Sequence, residues 1–139
     1  THLVSREFNQ AVSERLNGNG FYVINVVDGA ARPLLIASIA ATLSLDFEAV
    51  DIWVEDLPQD QPAPADSRQT YVVVAAHRTM EPSVSLEAVY GIERRWTQQS
   101  AARLIADLGK EPIILTDDFA PVDRLIADVL FSPVALGNQ

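Results

Sequence analysis

The sequence predicts an α/β fold: a sheet of about three strands, mixed parallel and antiparallel, with flanking helices and a C-terminal helical segment. Three observations lead there. Gly20–Val27 and Thr70–Ala76 are dense in β-branched and aromatic residues, the composition of strands. Ser5–Leu16 and Pro33–Leu45 place apolar residues at helical spacing, before and after the first of those runs. The 139 residues are 48% hydrophobic and 21% charged, which suits one compact core.

Taken in order, Phe8, Val12 and Leu16 recur every four positions among polar residues, with Ser5 as N-cap and Asn17-Gly18 as the end of the helix. Gly20–Val27 is apolar on both faces and reads as a central strand. Pro33 suits a first helical position, where a missing N–H costs nothing. Leu35, Ile36, Ile39, Ala40 and Leu43 then form the packing stripe of the second helix. In Glu48–Glu55, Val50, Ile52 and Val54 alternate with Asp51, Trp53 and Glu55, the pattern of a strand exposed on one side. Leu57–Arg68, rich in Pro, Asp and Gln, reads as a surface loop. The return through Thr70–Ala76 is expected to insert an antiparallel strand into an otherwise parallel unit. After the break at Glu81-Pro82-Ser83, Leu86, Val89, Tyr90, Glu93 and Trp96 suggest a helix, and Ala101–Leu108 another, closed by Gly109. Ile113–Leu115 reads as extended, and a last amphipathic turn uses Val122, Leu125, Ile126, Val129 and Leu130. Residues 1–80 are thus expected to form the α/β part and residues 81–139 a helical extension on the same core.

Composition excludes several functions. The formal charge of −9 and pI near 4.5 repel phosphate backbones and anionic lipid, so no nucleic-acid partner is expected. The longest apolar run, Pro33–Ala41, is about half of the roughly 20 residues that span a bilayer. With no cysteine there is no disulfide framework, thiolate zinc site or cysteine nucleophile, and a reducing, cytoplasmic setting is the expectation. His2 and His77 belong to no recognisable nucleophile motif and read as core or surface residues. Trp53, Tyr90 and Trp96 read as packing residues, and Arg94-Arg95 as a solvated or ion-paired couple.

Two stretches carry a more specific likeness. His2-Leu3-Val4-Ser5-Arg6-Glu7-Phe8, then Leu16, then Gly20-Phe21-Tyr22-Val23-Ile24-Asn25-Val26-Val27-Asp28, resembles a helix–strand segment of spermidine-synthase-like proteins. Leu115-Thr116-Asp117-Asp118-Phe119-Ala120-Pro121-Val122-Asp123 resembles the closing stretch of the same family. The two bracket most of the chain. The resemblance implies the C-terminal part of a Rossmann-like methyltransferase sheet, with this chain supplying about three strands and lining the amine side of the site. It also implies that the nucleoside-binding half and the catalytic base lie upstream of Thr1. Consistent with this, no Gly-x-Gly-x-x-Gly turn follows a first strand here. No cofactor is then expected in this chain, and a parent protein would use decarboxylated S-adenosylmethionine. Its partners would be the missing N-terminal half of the same protein and a polyamine. Some family members are fused to a membrane transporter-like region, which leaves membrane association of a parent open. The family's amine-site glutamine falls on Asn25, a shorter amide. Its Tyr-Pro-x-Gly stretch is replaced by Ala65-Asp66-Ser67-Arg68-Gln69-Thr70, a departure that speaks against ordinary spermidine synthesis.

The candidate substrate-binding residues are Asn25, Asp28, Asp117, Asp118 and Asp123. Asn25 and Asp28 fall towards the carboxyl end of a predicted strand, where ligands dock in open α/β sheets. The alternative is that Asn25 satisfies a neighbouring backbone group and Asp28 caps the next helix. Asp117, Asp118 and Asp123 suit an ammonium group, but equally a helix N-cap and first turn. A divalent cation is a third option there, weakened by the lack of an accompanying histidine. Two functional classes follow: an aminopropyltransferase-type fragment that is inactive alone, or a non-catalytic binding or assembly module, a homo-oligomer joined through an open sheet edge.

Overall fold

A computed structural model of the chain describes residues 2–56, 67–81, 84–89 and 92–127. A 3-10 turn at His2–Val4 precedes α1 (Arg6–Arg15), β1 (Phe21–Gly29), α2 (Leu34–Leu43), β2 (Ala49–Glu55) and β3 (Arg68–Ala76). Then come β4 (Val84–Val89), β5 (Ile92–Ser100), α3 (Ala101–Leu108) and α4 (Val122–Leu125). The strands form one five-stranded sheet in the order β1-β3-β2-β5-β4. Each neighbouring pair is antiparallel. β1 and β2 therefore point the same way, with β3 reversed between them.

Alternation along the strands separates the two sheet faces. Val26, Ile52, Tyr71, Val73 and Ala75 are buried on one face, and that face carries α1, α2 and α3. The other face keeps Phe21, Val23 and Val27 substantially exposed. α1 begins where Ser5 Oγ accepts the Phe8 N–H, the expected cap. α3 begins on Ser100, whose Oγ accepts from Arg103 N, and ends on Gly109 at φ 63°, the left-handed geometry that favours glycine.

α2 lies at the centre of the molecule, with eight of its ten residues buried. Ile36, Ile39 and Leu43 face into the core. Its remaining sides cannot be left to water, and two hydroxyls take up the backbone of a later segment. Ser38 Oγ accepts from Ile113 N at 3.2 Å and Thr42 Oγ1 from Leu115 N at 3.0 Å. Each hydroxyl donates in turn to the carbonyl four residues back in the helix. Residues 113–115 are thereby laid along α2, and Leu115 is fully buried.

Several expectations change. The helix expected over Leu86–Trp96 is instead the β4–β5 hairpin; an apolar spacing of three and four is met there by chance, while Val84, Leu86 and Ala88 also satisfy a period of two. The C-terminal region then contributes two strands to the sheet, which has five rather than about three. The expected mixture of parallel and antiparallel pairing is not found: every pairing among the described residues is antiparallel. β1, expected to be central, lies at an edge of the sheet, and α2 starts at Leu34 rather than Pro33. The inserted antiparallel strand is present as β3. Most of the expected loop Leu57–Arg68, and Tyr90, Val129 and Leu130, lie outside the described residues.

Replacing Thr42 by Val keeps the shape and removes the hydroxyl, leaving the buried Leu115 N–H without its acceptor. The expected cost is about 1–3 kcal/mol in urea unfolding. A change within about 0.3 kcal/mol would show that the bond contributes nothing.

Candidate functional site

Because β1 and β2 run in the same direction, Gly29, Glu55 and the start of β3 at Arg68 meet at one end of the sheet. Gln69 Nε2 donates to the Glu55 carbonyl at 2.7 Å, tying the ends of β2 and β3 together. Asp28, one residue from the end of β1, is fully buried. One of its carboxylate oxygens accepts from Gly29 N at 2.7 Å, the other from Ile36 N at 2.9 Å. Ile36 is the third residue of α2, and Pro33 at the N-cap position offers no side-chain bond, so a carboxylate eight residues upstream does the capping. Burial pushes the Asp28 carboxyl above the ordinary aspartate range; the N–H groups of Ile36, Gly29 and Leu35 oppose that shift in part. Beside it, the Tyr71 hydroxyl donates to the Gly29 carbonyl at 3.4 Å. Burial first, and then the charge of Asp28, push this phenol up to about 12.

In front of these groups a cleft of about 290 Å³ opens between the Ala30–Pro33 loop, the ends of β2 and β3, and α3. Gln69, Tyr71, Gln99 and Asp107 supply its polar groups, and among the described residues Asp107 is the one charged residue in its lining. Asp107 and Arg103 approach to 3.8 Å at an exposed position. The arrangement offers amide and phenol hydrogen bonds and a single carboxylate. Tyr71 keeps its proton at neutral pH, and Asp28 has both oxygens committed to backbone N–H groups. The cleft is therefore equipped to bind and orient a polar ligand, with no free base at its centre.

Of the five expected binding residues, only Asp28 adjoins this cleft, and it acts from behind as a cap, one of the two alternatives. Asn25 is exposed in the middle of β1, opposite Val72, on the sheet face that carries no helix. Asp117 and Asp118 sit in a turn closed by Thr116 and Phe119, with Asp117 N donating to Glu7 at the start of α1. That turn follows Leu115, which is held at Thr42, six residues or about 9 Å along α2 from the Asp28 contact. Asp123 is exposed in the first turn of α4, whose N-cap is Pro121 with no side-chain bond, so neither Asp117 nor Asp118 caps it. The pattern had grouped residues that the fold holds apart. Gln69, Tyr71, Gln99 and Asp107 were not anticipated, since strand register and the packing of α3 bring them together and no local spacing announces either.

Among the described residues no group of three or more His, Asp or Glu is placed to hold a metal ion. His77 approaches Ser13, but its Nε2 lies 2.9 Å from the Ser13 carbonyl, which fixes the proton on that nitrogen. Ser13 Oγ donates to the Asp46 carbonyl, and the imidazole stacks on Phe47 at 5.2 Å. This is a packing arrangement and not a nucleophile with its base. No family model matches the chain, and no curated protein or solved structure matches it either.

The raised Asp28 pKa fixes the sign of a pH effect. Its contribution to stability is complete below the unfolded value near 3.8 and is lost as pH rises through the higher folded value. Asp28→Asn has no such titration. The stability of the wild-type chain relative to that variant, from urea unfolding, is therefore expected to fall as pH rises above about 4. A difference that is flat, or that grows with pH, contradicts the assignment.

Proposed function

We propose that this chain is the C-terminal part of a spermidine-synthase-like protein, lining the amine side of a site whose nucleoside half is supplied upstream, and inactive alone. The observation that carries this reading is the cleft at the shared carboxyl end of β1 and β2, with amide, phenol and carboxylate groups and no cationic side chain in its lining. Ligands of open α/β sheets dock at that end. The two sequence stretches that resemble the family support it. So does the order β1-β3-β2, in which two strands of one direction, joined through α2, enclose a reversed third. In such a protein the amine nitrogen would attack the methylene carbon next to the sulfonium of decarboxylated S-adenosylmethionine, the carbon–sulfur bond breaking so that the neutral thioether leaves with the electron pair. This chain would orient the amine through Gln69, Gln99 and Asp107, while proton removal would fall to an upstream residue.

Titration of the 139-residue chain with decarboxylated S-adenosylmethionine is expected to release no binding heat. Joining it to the upstream part of its reading frame is expected to yield aminopropyl transfer that Asp107→Asn weakens in the amine KM. Tight binding of the nucleoside by the chain alone contradicts the reading, as does a joined protein that binds the nucleoside and no amine.

A second reading, a non-catalytic assembly module, draws on the edge position of β1. Among the described residues only β3 pairs with this strand, and Phe21, Val23 and Val27 are 47%, 56% and 51% exposed. An edge so apolar is prone to association. Light scattering separates the two: concentration-dependent dimers lost on Val23→Lys favour assembly, and a strict monomer at high concentration excludes it.

A further inference from the structure

The opposite end of the sheet holds a largely buried carboxylate that meets one neutral side-chain donor among the described residues. Asp51 lies on β2, on the face without helices, and is 9% exposed. One carboxylate oxygen accepts from Gln98 Nε2 at 2.6 Å; its other oxygen has no donor among the described residues. Among the described residues no cation is paired with it. Arg103 lines the same cavity but approaches Asp107, and Arg78 lies over the Phe21 ring at 4.9 Å. The first turn of α3 lies close, since Asp51 is opposite Ser100 in the β2–β5 register, yet a helix end supplies only about half a charge. The second oxygen is not enclosed by protein and opens to the cavity in front of it.

Asp51 opens into a cavity of about 500 Å³ that also takes in Glu48, Ser100 and Met80. A second, more apolar cavity of about 510 Å³ lies beside it over Phe21, Val23, Trp53 and Val74, with Arg78 and Glu81 also in its lining. The two meet along Thr79, Met80 and Gln98, which line both. A carboxylate with one oxygen unfilled thus stands at the end of an apolar trough floored by an indole and two valines. We propose that these adjoining cavities form one binding site for a small organic ammonium with an apolar body. The ammonium donates to Asp51, with Glu48 adding charge at the rim, and the body lies along Trp53, Val74 and Val23. The site is separate from the cleft at the carboxyl ends of β1 and β2, and it does not depend on the function proposed for that cleft.

The test uses hexylamine, with hexanol and hexanoate as probes of the same body without the cation. Nuclear magnetic resonance of the labelled chain should show saturable shifts of the Gln98 side-chain amide and the Trp53 indole with hexylamine. Its affinity should exceed those of hexanol and hexanoate by about tenfold or more, as a charge-assisted hydrogen bond requires. Asp51→Asn, which keeps the shape and can keep its bond to Gln98, should remove that advantage. Glu14→Gln, at an exposed position of α1 away from both cavities, should leave it unchanged. The proposal is overturned if hexanol or hexanoate binds as well as hexylamine, or if no saturable shift appears at these two residues by about 50 mM. It is also overturned if a folded Asp51→Asn chain binds hexylamine with the wild-type affinity. The comparison of the three probes on the wild-type chain stands even if the variant does not fold.

Discussion

The burial of α2 is the constraint from which the rest of the molecule follows. A helix enclosed at eight of ten positions gains the hydrophobic contribution of Leu35, Ile36, Ile39 and Leu43, but its end and its hydroxyls must then find partners inside the protein. Asp28 meets the first need and Ser38 and Thr42 the second. The helix is in this way fastened at its start to the end of β1, and along its length to residues 113–115. The start of α1 is tied to the same later segment, since Arg6 N donates to the Leu115 carbonyl at 2.8 Å. Segments more than a hundred residues apart share one helix as their common support.

This arrangement also decides where binding chemistry is available. With the helices gathered on one face, the carboxyl ends of β1 and β2 open beside the α2 N-terminus, and the polar cleft forms there. Asp28 is fixed by the helix it caps and serves that cleft by holding its wall, while Tyr71 and the two glutamines present the hydrogen-bonding groups. The face without helices mixes aliphatic and aromatic residues with Asn25, Gln98 and the carboxylates of Asp51 and Glu55, the latter paired with Arg94. The two ends of the sheet thus offer different environments, one a polar cleft built by loop and helix, the other an apolar trough beside the Asp51 carboxylate.

Much of the first 76 residues was legible in the sequence, because α1, α2 and β2 each repeat their apolar residues at one clear period, β3 is dense in β-branched residues, and α1 also carries a readable cap. The hairpin of β4 and β5 was not, since its residues fit two periods at once and the choice is made by pairing with β2. β1 was read as interior from an apolar character on both sides, a property shared by an interior strand and by an edge with one bare face. Asp28 was legible as a cap for the following helix, although not that it would reach a residue eight positions on. Tyr71, Gln99 and Asp51 could not be singled out: their neighbours come from strands and helices far away in the chain. The acidic run at 117–123 illustrates the converse, a conspicuous local pattern that the fold places at the surface beside α1.

Native-state hydrogen exchange at the amides of Ile36, Ile113 and Leu115 bears most directly on the claim that α2 holds the fold together. If the Asp28, Ser38 and Thr42 contacts are made and broken with the core, all three amides exchange together, at the free energy of global unfolding. Rapid exchange at Ile113 and Leu115 while Ile36 stays protected would mean that the later segment merely rests on the helix, and the central role given to α2 would fail.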